Sequence, residues 1–277
     1  MKKLEIKQIC EELKQNLKEE VQKLPTLRIA SLSIGKDYAS LVYVSAQSKI
    51  AKELGIDYYS IELEDNRSLN DVLGKIDELN DDKSINGIIV NKPFSKKFKE
   101  EVIFSAIDKN KDVEGMNPCN LGSLFYAEPL FTSPTVLGVL EILKSLEINL
   151  YGKDVVIVGF STLIGKPLAL LLGQEFATVS ITHIATFEAG KLPSYIKGAD
   201  IVISAVGKPK VIKGSWIKKG AVVIDVGIGE LEGKVVGDVE FDAAAKQASF
   251  VTPVPGGVGK LTTLFLFKNL IKAAKIA

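Results

Sequence analysis

Apolar positions in the first two dozen residues fall at Ile6, Ile9, Leu13, Leu17 and Val21, a helical spacing that predicts an amphipathic helix over roughly residues 3–23. The period then shortens. "TLRIASLSIG" reads as a strand, and a helix follows over residues 39–54, ended by Gly55 in the left-handed C′ manner. "YYSIEL" predicts a second strand, "SLNDVLGKIDELN" a helix opened by a serine cap, and "INGIIVN" a third strand. This β-α-β-α-β order predicts a mostly parallel sheet with right-handed crossovers.

The second half repeats the logic with more apolar strands. "SPTVLGVLEILKSL" is a strong helix that bridges the halves. "KDVVIVGF", "ATVSIT", "ADIVISAVG" and "GAVVIDVGI" are strands, and a helix begins within "STLIGKPLALLLGQ". Near-continuous Val/Ile runs without alternation suit a parallel sheet covered on both faces. "LTTLFLFKNLIKAAKIA" predicts a last helix.

Composition narrows the class without naming a chemistry. The chain has 277 residues, 46% hydrophobic and 25% charged, which suits one large or two ordinary globular domains. A net charge of +1 gives no long-range attraction to nucleic acid or to an anionic membrane, so neither is expected as a partner. The opening "MKKLEIKQICEELKQ" is charged every few residues and does not read as a signal peptide. No run reaches the roughly 18 uncharged apolar residues of a membrane span. Cys10 and Cys119 lack the spacing of a zinc site or a disulfide framework, so no metal and a cytoplasmic location are expected.

Candidate chemistry starts at "VVIVGFSTLIGKP". Gly159 closes a strand, Phe160 and Ser161 follow, and Ile164 precedes Gly165 where a helix begins. A strand–glycine turn–helix unit aims backbone N–H groups and the positive helix end at a pyrophosphate. The spacing G-x-S-x-x-x-G is not the standard dinucleotide fingerprint, and a tight turn with nothing bound stays open from this stretch alone. "SAVGKP", with Ala205, Val206 and Gly207, and "DVGIG", with Gly227 and Ile228, also put glycine directly after apolar strands. Ligands of open α/β sheets lie outside the carboxyl ends of strands, so three such ends favour a nucleotide site.

Together "VVIVGFSTLIGKPLALLL", "ADIVISAVGKPKVIKGSWIKKGAVVIDVGI", "VGDVEF" and "VTPVPGGVGKLTT" resemble, in order and spacing, the C-terminal half of the methylenetetrahydrofolate dehydrogenase/methenyltetrahydrofolate cyclohydrolase family. "ASLVYVSAQSKIAKELGI", "GIIVNKP" and "DVEGMNPCNLGSL" resemble its N-terminal half. The resemblance implies an α/β fold of two domains with a folate cleft between them. The expected bounds are a folate-binding parallel-sheet domain over 1–136 plus 262–277 and a Rossmann-like dinucleotide-binding domain over 137–261. It further implies tetrahydrofolate derivatives as substrates, NADP or NAD as cofactor, and a homodimer.

Residue by residue, the resemblance implies that Tyr43 stacks on and orients the folate ring, although plain packing remains a second reading. Gln47 stands where the family has the lysine most tied to cyclohydrolase chemistry, and Asn91 where it has the glutamine that bonds that lysine. Glu114 stands for the aspartate that binds the pterin edge. Pro255, Gly256 and Gly257 match the loop that lets nicotinamide and folate approach, and Lys260-Leu261-Thr262 replaces Pro-Met-Thr, with Thr262 kept on the cofactor side. Phe160 replaces an arginine common in the family, and Ile184 a serine that contacts the ribose 2′-phosphate, which leaves NAD open beside NADP. The usual PCTP reads "SPTV" at residues 133–136.

Hydride transfer chiefly requires alignment of the methylene carbon with the nicotinamide, and Tyr43, Glu114 and the Gly256–Gly257 loop are the expected positioning groups. Hydrolysis of the methenyl cation needs water activated and protons moved, which a lysine can do and Gln47 cannot. Lys92 is the candidate for a replacing cation, while the single histidine, His183, reads as structural. Three readings follow: a dehydrogenase with a weak or absent cyclohydrolase step, a fully bifunctional enzyme, and a paralogue that binds nucleotide or folate without turnover.

Overall fold

The computed structural model describes residues 6–35, 38–94, 97–126 and 129–276. Residues 3–5 of the expected first helix and residue 277 of the last lie outside them. Contacts divide the chain into two units, one of Gln8–Pro134 with Thr263–Ala277 and the other of Thr135–Thr262 with Ile6 and Lys7.

In the first unit, α1 (Ile6–Val21) is followed by β1 (Arg28–Ile34), α2 (Tyr38–Leu54), β2 (Asp57–Leu63), α3 (Leu69–Asp81), β3 (Gly87–Val90), α4 (Glu100–Ala106) and α5 (Pro118–Ser123). The sheet runs β2-β1-β3 and is parallel throughout, with Ile29 opposite both Tyr58 and Gly87. Gly55, at φ +80°, ends α2 as its position after the last helical turn requires. Ser68 caps α3 in a full capping box with Asp71, two helix-end donors being met reciprocally. The third strand is shorter than its apolar run. Asn86 spends its side-chain carbonyl on Arg28 N–H at 2.8 Å, and Asn91 turns its amide inward onto β1. The short α4 and α5 have too few turns to leave a periodic signal.

Part of one face of this sheet is dry. Leu17, Val21, Ile29, Ala51, Leu54, Ile89 and Val113 pack with Leu266, Phe267, Leu270 and Ile271 of the closing helix. Each such side chain contributes roughly 1.5–3 kcal/mol when fully buried, enough to hold a sheet of only three strands. Asn269 anchors that helix by donating to the carbonyls of Val113 at 2.8 Å and Thr132 at 2.9 Å.

The second unit opens with α6 (Pro134–Ser145, helical from its first, proline position) and continues with β4 (Asp154–Val158), α7 (Gly165–Gln174), β5 (Thr178–Thr182), α8 (Ile184–Glu188), α9 (Leu192–Gly198), β6 (Ile201–Ser204) and β7 (Val222–Asp225). A hairpin of β8 (Gly229–Leu231) and β9 (Lys234–Val236), α10 (Phe241–Ala244), β10 (Phe250–Val251) and α11 (Val258–Ala274) complete the chain, α11 running on into the first unit's residues. The five-stranded sheet is parallel in the order β5-β4-β6-β7-β10. The first strand of the unit therefore has its sequence successor on one side and β6 on the other, which makes the β4/β6 boundary the topological switch point where such sheets bind ligands. Strands β6 and β7 are buried at every position, as their unbroken apolar runs require. The β8–β9 hairpin has no counterpart in the pattern reading, because three-residue strands carry no usable period. No helix among the described residues is long and apolar enough to cross a membrane.

Candidate active site

The register of the first sheet collects a polar cluster on one face. Residues 29, 31 and 33 of β1 alternate onto the same side as Tyr58 of β2 and the end of β3, because parallel pairing sets Ile29 against Tyr58 and Ser31 against Ile89. Asn91 reaches back across this face and donates its amide N–H2 to Ser31 Oγ at 2.7 Å, Ser33 Oγ at 3.0 Å and the Leu32 carbonyl at 3.3 Å. Ser31 also hydrogen-bonds the Tyr58 hydroxyl, which donates to Gln47 Oε1 at 2.7 Å. Burial pushes the Tyr58 hydroxyl up to about 12, so it stays a donor at neutral pH. Tyr43 lies one helical turn before Gln47 on α2 and is 43% exposed, so its ring is presented outward rather than consumed in the core.

Glu114 sits in the loop between α4 and α5, partly buried, and its carboxyl is pushed up to about 8. Burial is the main cause, the Asp112 carboxylate adds repulsion, and the Lys92 ammonium opposes both. Asp112 is fully buried and organises that loop by accepting from Asn117 N–H at 2.7 Å, Asn120 Nδ2 at 2.8 Å and Met116 N–H at 3.1 Å. Lys92 pairs with Glu100 at 2.9 Å and lies 5.8 Å from the centre of the Phe104 ring. Its side chain is therefore directed toward α4 by an ion pair, although its charge is felt at Glu114.

In the second unit the expected cofactor residues gather at the strand ends on either side of the switch point. A Cβ on Gly159 would stand 2.6 Å from the Ala205 carbonyl, and one on Gly165 would stand 2.0 Å from the Gly159 carbonyl. Only glycine permits this approach of strand, turn and helix, and the resulting cradle is lined by backbone. Ser161 Oγ accepts from Ile164 N–H at 3.1 Å, fixing the turn that opens α7. Phe160 and Ile184 are 52% and 51% exposed at neighbouring strand ends, with the Phe160 ring 6.3 Å from that of His183. Lys166 holds its ammonium 4.9 Å from the centre of the Phe160 ring, so a cation does stand in this corner, in the first turn of the helix.

Two buried carboxylates shape the remaining loops. Asp238 accepts from Ser204 Oγ, Val206 N–H and Lys208 N–H, each at 2.8 Å. Asp225 accepts from Val239 N–H at 2.9 Å, Gly227 N–H at 3.0 Å and Asp238 N–H at 3.1 Å. The loops carrying Ala205–Val206–Gly207 and Gly227–Ile228 are thus tied to one another through the 238 region. Burial pushes the Asp225 carboxyl up to about 6 despite those three donors. Further along, Pro255, Gly256 and Gly257 form the turn between β10 and α11, with Gly256 at φ +106° and Gly257 buried. Thr262 donates to the Val258 carbonyl at 3.2 Å and can accept from the Thr135 hydroxyl at 3.3 Å.

The pattern reading did not single out Ser31, Ser33, Tyr58, Lys166, Asp225 or Asp238. A signal existed for the serines, since two hydroxyls on one face of an otherwise apolar central strand need partners. An aspartate closing an apolar strand, as in "VVID", is a comparable signal for Asp225.

The residues fit a nicotinamide dinucleotide on the strength of the glycine cradle at the switch point. Comparison with known proteins agrees. A family model for the tetrahydrofolate dehydrogenase/cyclohydrolase catalytic domain matches residues 4–114, and one for the NAD(P)-binding domain of the same proteins matches residues 133–277. The bifunctional protein FolD of Acetivibrio thermocellus is 43% identical over 275 residues, covering 98% of this chain and 95% of the relative. That of Clostridium botulinum strain Eklund 17B is 44% identical over 273 residues, covering 99% and 94%. Among solved structures, the bifunctional FolD methylenetetrahydrofolate dehydrogenase/cyclohydrolase of Campylobacter jejuni superposes with a TM-score of 0.92 at 38% identity, covering 97% of this chain and 96% of that one. The Trypanosoma brucei enzyme, complexed with NADP and an inhibitor, gives 0.92 at 32% identity, covering 99% and 97%. With nearly its whole length matched, the chain belongs to the tetrahydrofolate dehydrogenase/cyclohydrolase family.

Proposed function

We propose that this chain oxidises 5,10-methylenetetrahydrofolate to 5,10-methenyltetrahydrofolate with NADP or NAD, and that the following hydrolysis to 10-formyltetrahydrofolate is slow. The observation that carries the second half is the state of Gln47. Its side-chain carbonyl is occupied by the Tyr58 hydroxyl, and an amide neither takes nor gives a proton near neutral pH. Lys92, the candidate for a replacing cation, is engaged with Glu100.

The first half rests on groups that position rather than react. Tyr43 offers a ring face to the pterin, and Glu114, once ionised, can accept the paired N–H groups of the amino-pyrimidine edge. The backbone of the Gly159, Ala205–Gly207 and Gly227–Ile228 turns supports the dinucleotide, with Phe160, Ser161, Ile164 and Ile184 at its rim. Pro255, Gly256, Gly257 and Thr262 complete the proposed set. A bound nicotinamide would supply the hydride acceptor. The relatives named above are bifunctional enzymes, which lends no support to a paralogue that binds without turnover.

The proposed domain bounds, 1–136 with 262–277 and 137–261, draw support from the contact division at residues 134/135 and 262/263, although Ile6 and Lys7 group there with the second unit. A cytoplasmic homodimer that binds neither nucleic acid nor membrane is the proposed setting; the net charge of +1 and the two cysteines without a disulfide support the location and the absence of those partners, and the family resemblance supports the dimer. Sizing of the purified protein checks the dimer. One assay tests the chemistry. Methylenetetrahydrofolate is supplied with NAD or NADP, and reduced nicotinamide and methenyl product are followed together. Methenyl product that accumulates in step with reduced nicotinamide is expected. Its rapid disappearance would establish a working cyclohydrolase, and no reduction with either cofactor would remove the dehydrogenase reading.

A further inference from the structure

The polar groups behind Gln47 form a chain with one direction. The Leu32 carbonyl can only accept, so the Asn91 atom facing it must be the N–H2 nitrogen. That nitrogen then also donates to Ser31 Oγ at 2.7 Å. Ser31, having accepted, has its own proton to give, and its remaining partner is the Tyr58 oxygen. Tyr58, having accepted from Ser31, passes its proton to Gln47 Oε1 at 2.7 Å. Each link orients the next, and reversing the Gln47 amide would leave the Tyr58 oxygen with two donors and a proton facing neither. Among the described residues no acceptor is bonded to Gln47 Nε2.

We propose that Tyr58, backed by Ser31, is a positioning residue that locks Gln47 into a single orientation, so that its amide nitrogen is presented as a fixed hydrogen-bond donor to an acceptor atom of the bound folate. The inference rests on the reading that the α2 face is the folate site. It gives position 47 a role different from the lysine implied by the family resemblance. The group here is a neutral donor pre-oriented by its neighbours, not a titrating one. A neutral group also leaves the cationic methenyl product without a like charge beside it, which fits a site where that product lingers. Pre-orientation matters because a donor already in place loses little rotamer freedom when the ligand arrives.

The test uses Tyr58→Phe, Gln47→Leu and the double variant, with two readouts. The first is calorimetric titration of each protein with tetrahydrofolate, which needs no turnover. The second is steady-state kinetics with methylenetetrahydrofolate. Tyr58→Phe is expected to weaken tetrahydrofolate binding about 3- to 10-fold, the loss falling in KM for the folate more than in kcat, with KM for the nicotinamide cofactor unmoved. Gln47→Leu is expected to do at least as much, and the double variant no more than Gln47→Leu alone, because both remove the same donor. Ser31→Ala, in which Tyr58 keeps its own proton, is expected to give a smaller loss and serves if Tyr58→Phe folds poorly. Unchanged folate binding in Tyr58→Phe, or losses in the two single variants that add in the double, would overturn the proposal. A parent protein that binds tetrahydrofolate and shows these shifts, yet reduces no nicotinamide, would remove the dehydrogenase reading and leave this inference standing.

Discussion

Asp238 accepts the backbone N–H of Val206 at 2.8 Å, so a buried carboxylate from one loop dictates the path of another that lies 32 residues earlier in the chain. The same oxygen takes the Ser204 hydroxyl, and its twin takes Lys208 N–H. The strand-end loop proposed to support the dinucleotide therefore takes its shape from hydrogen bonds to a residue that is itself fully buried.

Asp238→Asn is expected to break this arrangement, because one accepting oxygen becomes an N–H2 group facing a donor. The variant should lose about 2–4 kcal/mol of stability, the usual result of leaving buried donors unmet. KM for the nicotinamide cofactor should rise by about tenfold or more, while tetrahydrofolate binding stays within about twofold. Thermal melting together with cofactor titration checks both.

Glu114 makes folate binding depend on pH. Its carboxyl is held up to about 8, and the proposed contact with the pterin edge needs the ionised form. Affinity for tetrahydrofolate should therefore increase as pH rises toward about 8 and level off above it. Stability of the free protein should move the other way. The folded chain keeps a proton that the unfolded chain, with an ordinary value near 4.5, releases, so this group's contribution falls as pH rises from about 4.5 through about 8. Glu114→Gln should bind folate more weakly and with a flat pH profile. A wild-type profile that is flat over the same range would remove Glu114 from the pterin contact.

Gln47→Lys puts a titrating group back on α2, one turn from Tyr43. Hydrolysis of methenyltetrahydrofolate should increase by about tenfold or more over the parent chain, a conservative share of the 10²–10⁴ that a positioned acid–base group supplies. Spectroscopic decay of methenyltetrahydrofolate against the uncatalysed rate measures it. An unchanged rate would mean that Tyr58, which bonds Gln47 here, and the Ser31–Asn91 pair behind it do not let a lysine act at this position.

Phe160 occupies the corner in which the family resemblance implies an arginine, and Lys166 stands 4.9 Å from its ring centre. Phe160→Arg should shift the ratio of kcat/KM for NADP over NAD upward by about tenfold, since a bidentate cation would face the 2′-phosphate. A ratio that does not move would show that Lys166 or another group already sets the preference.

Sequence by itself determined the types of the longer elements, the parallel class of both larger sheets and the positions of the three glycine-ended strands. These follow from local periods and from turn chemistry, which the chain states residue by residue: Ser68 caps α3 and Gly55 ends α2 because no distant partner is needed for either. Motif resemblance supplied the family and named Gln47 as out of pattern. The partner of Gln47 was decided only in three dimensions. Tyr58 and Ser31 belong to strands read simply as strands, and they meet because parallel register sets Ile29 opposite Tyr58 and carries Ser31 onto the same face. The joining of Val206, Asp225 and Asp238 is equally long-range, and no local period records it. A local pattern reports which side of an element is buried; register and crossover decide which buried polar groups face each other, and at Gln47 that pairing turned an unexpected amide into an oriented donor.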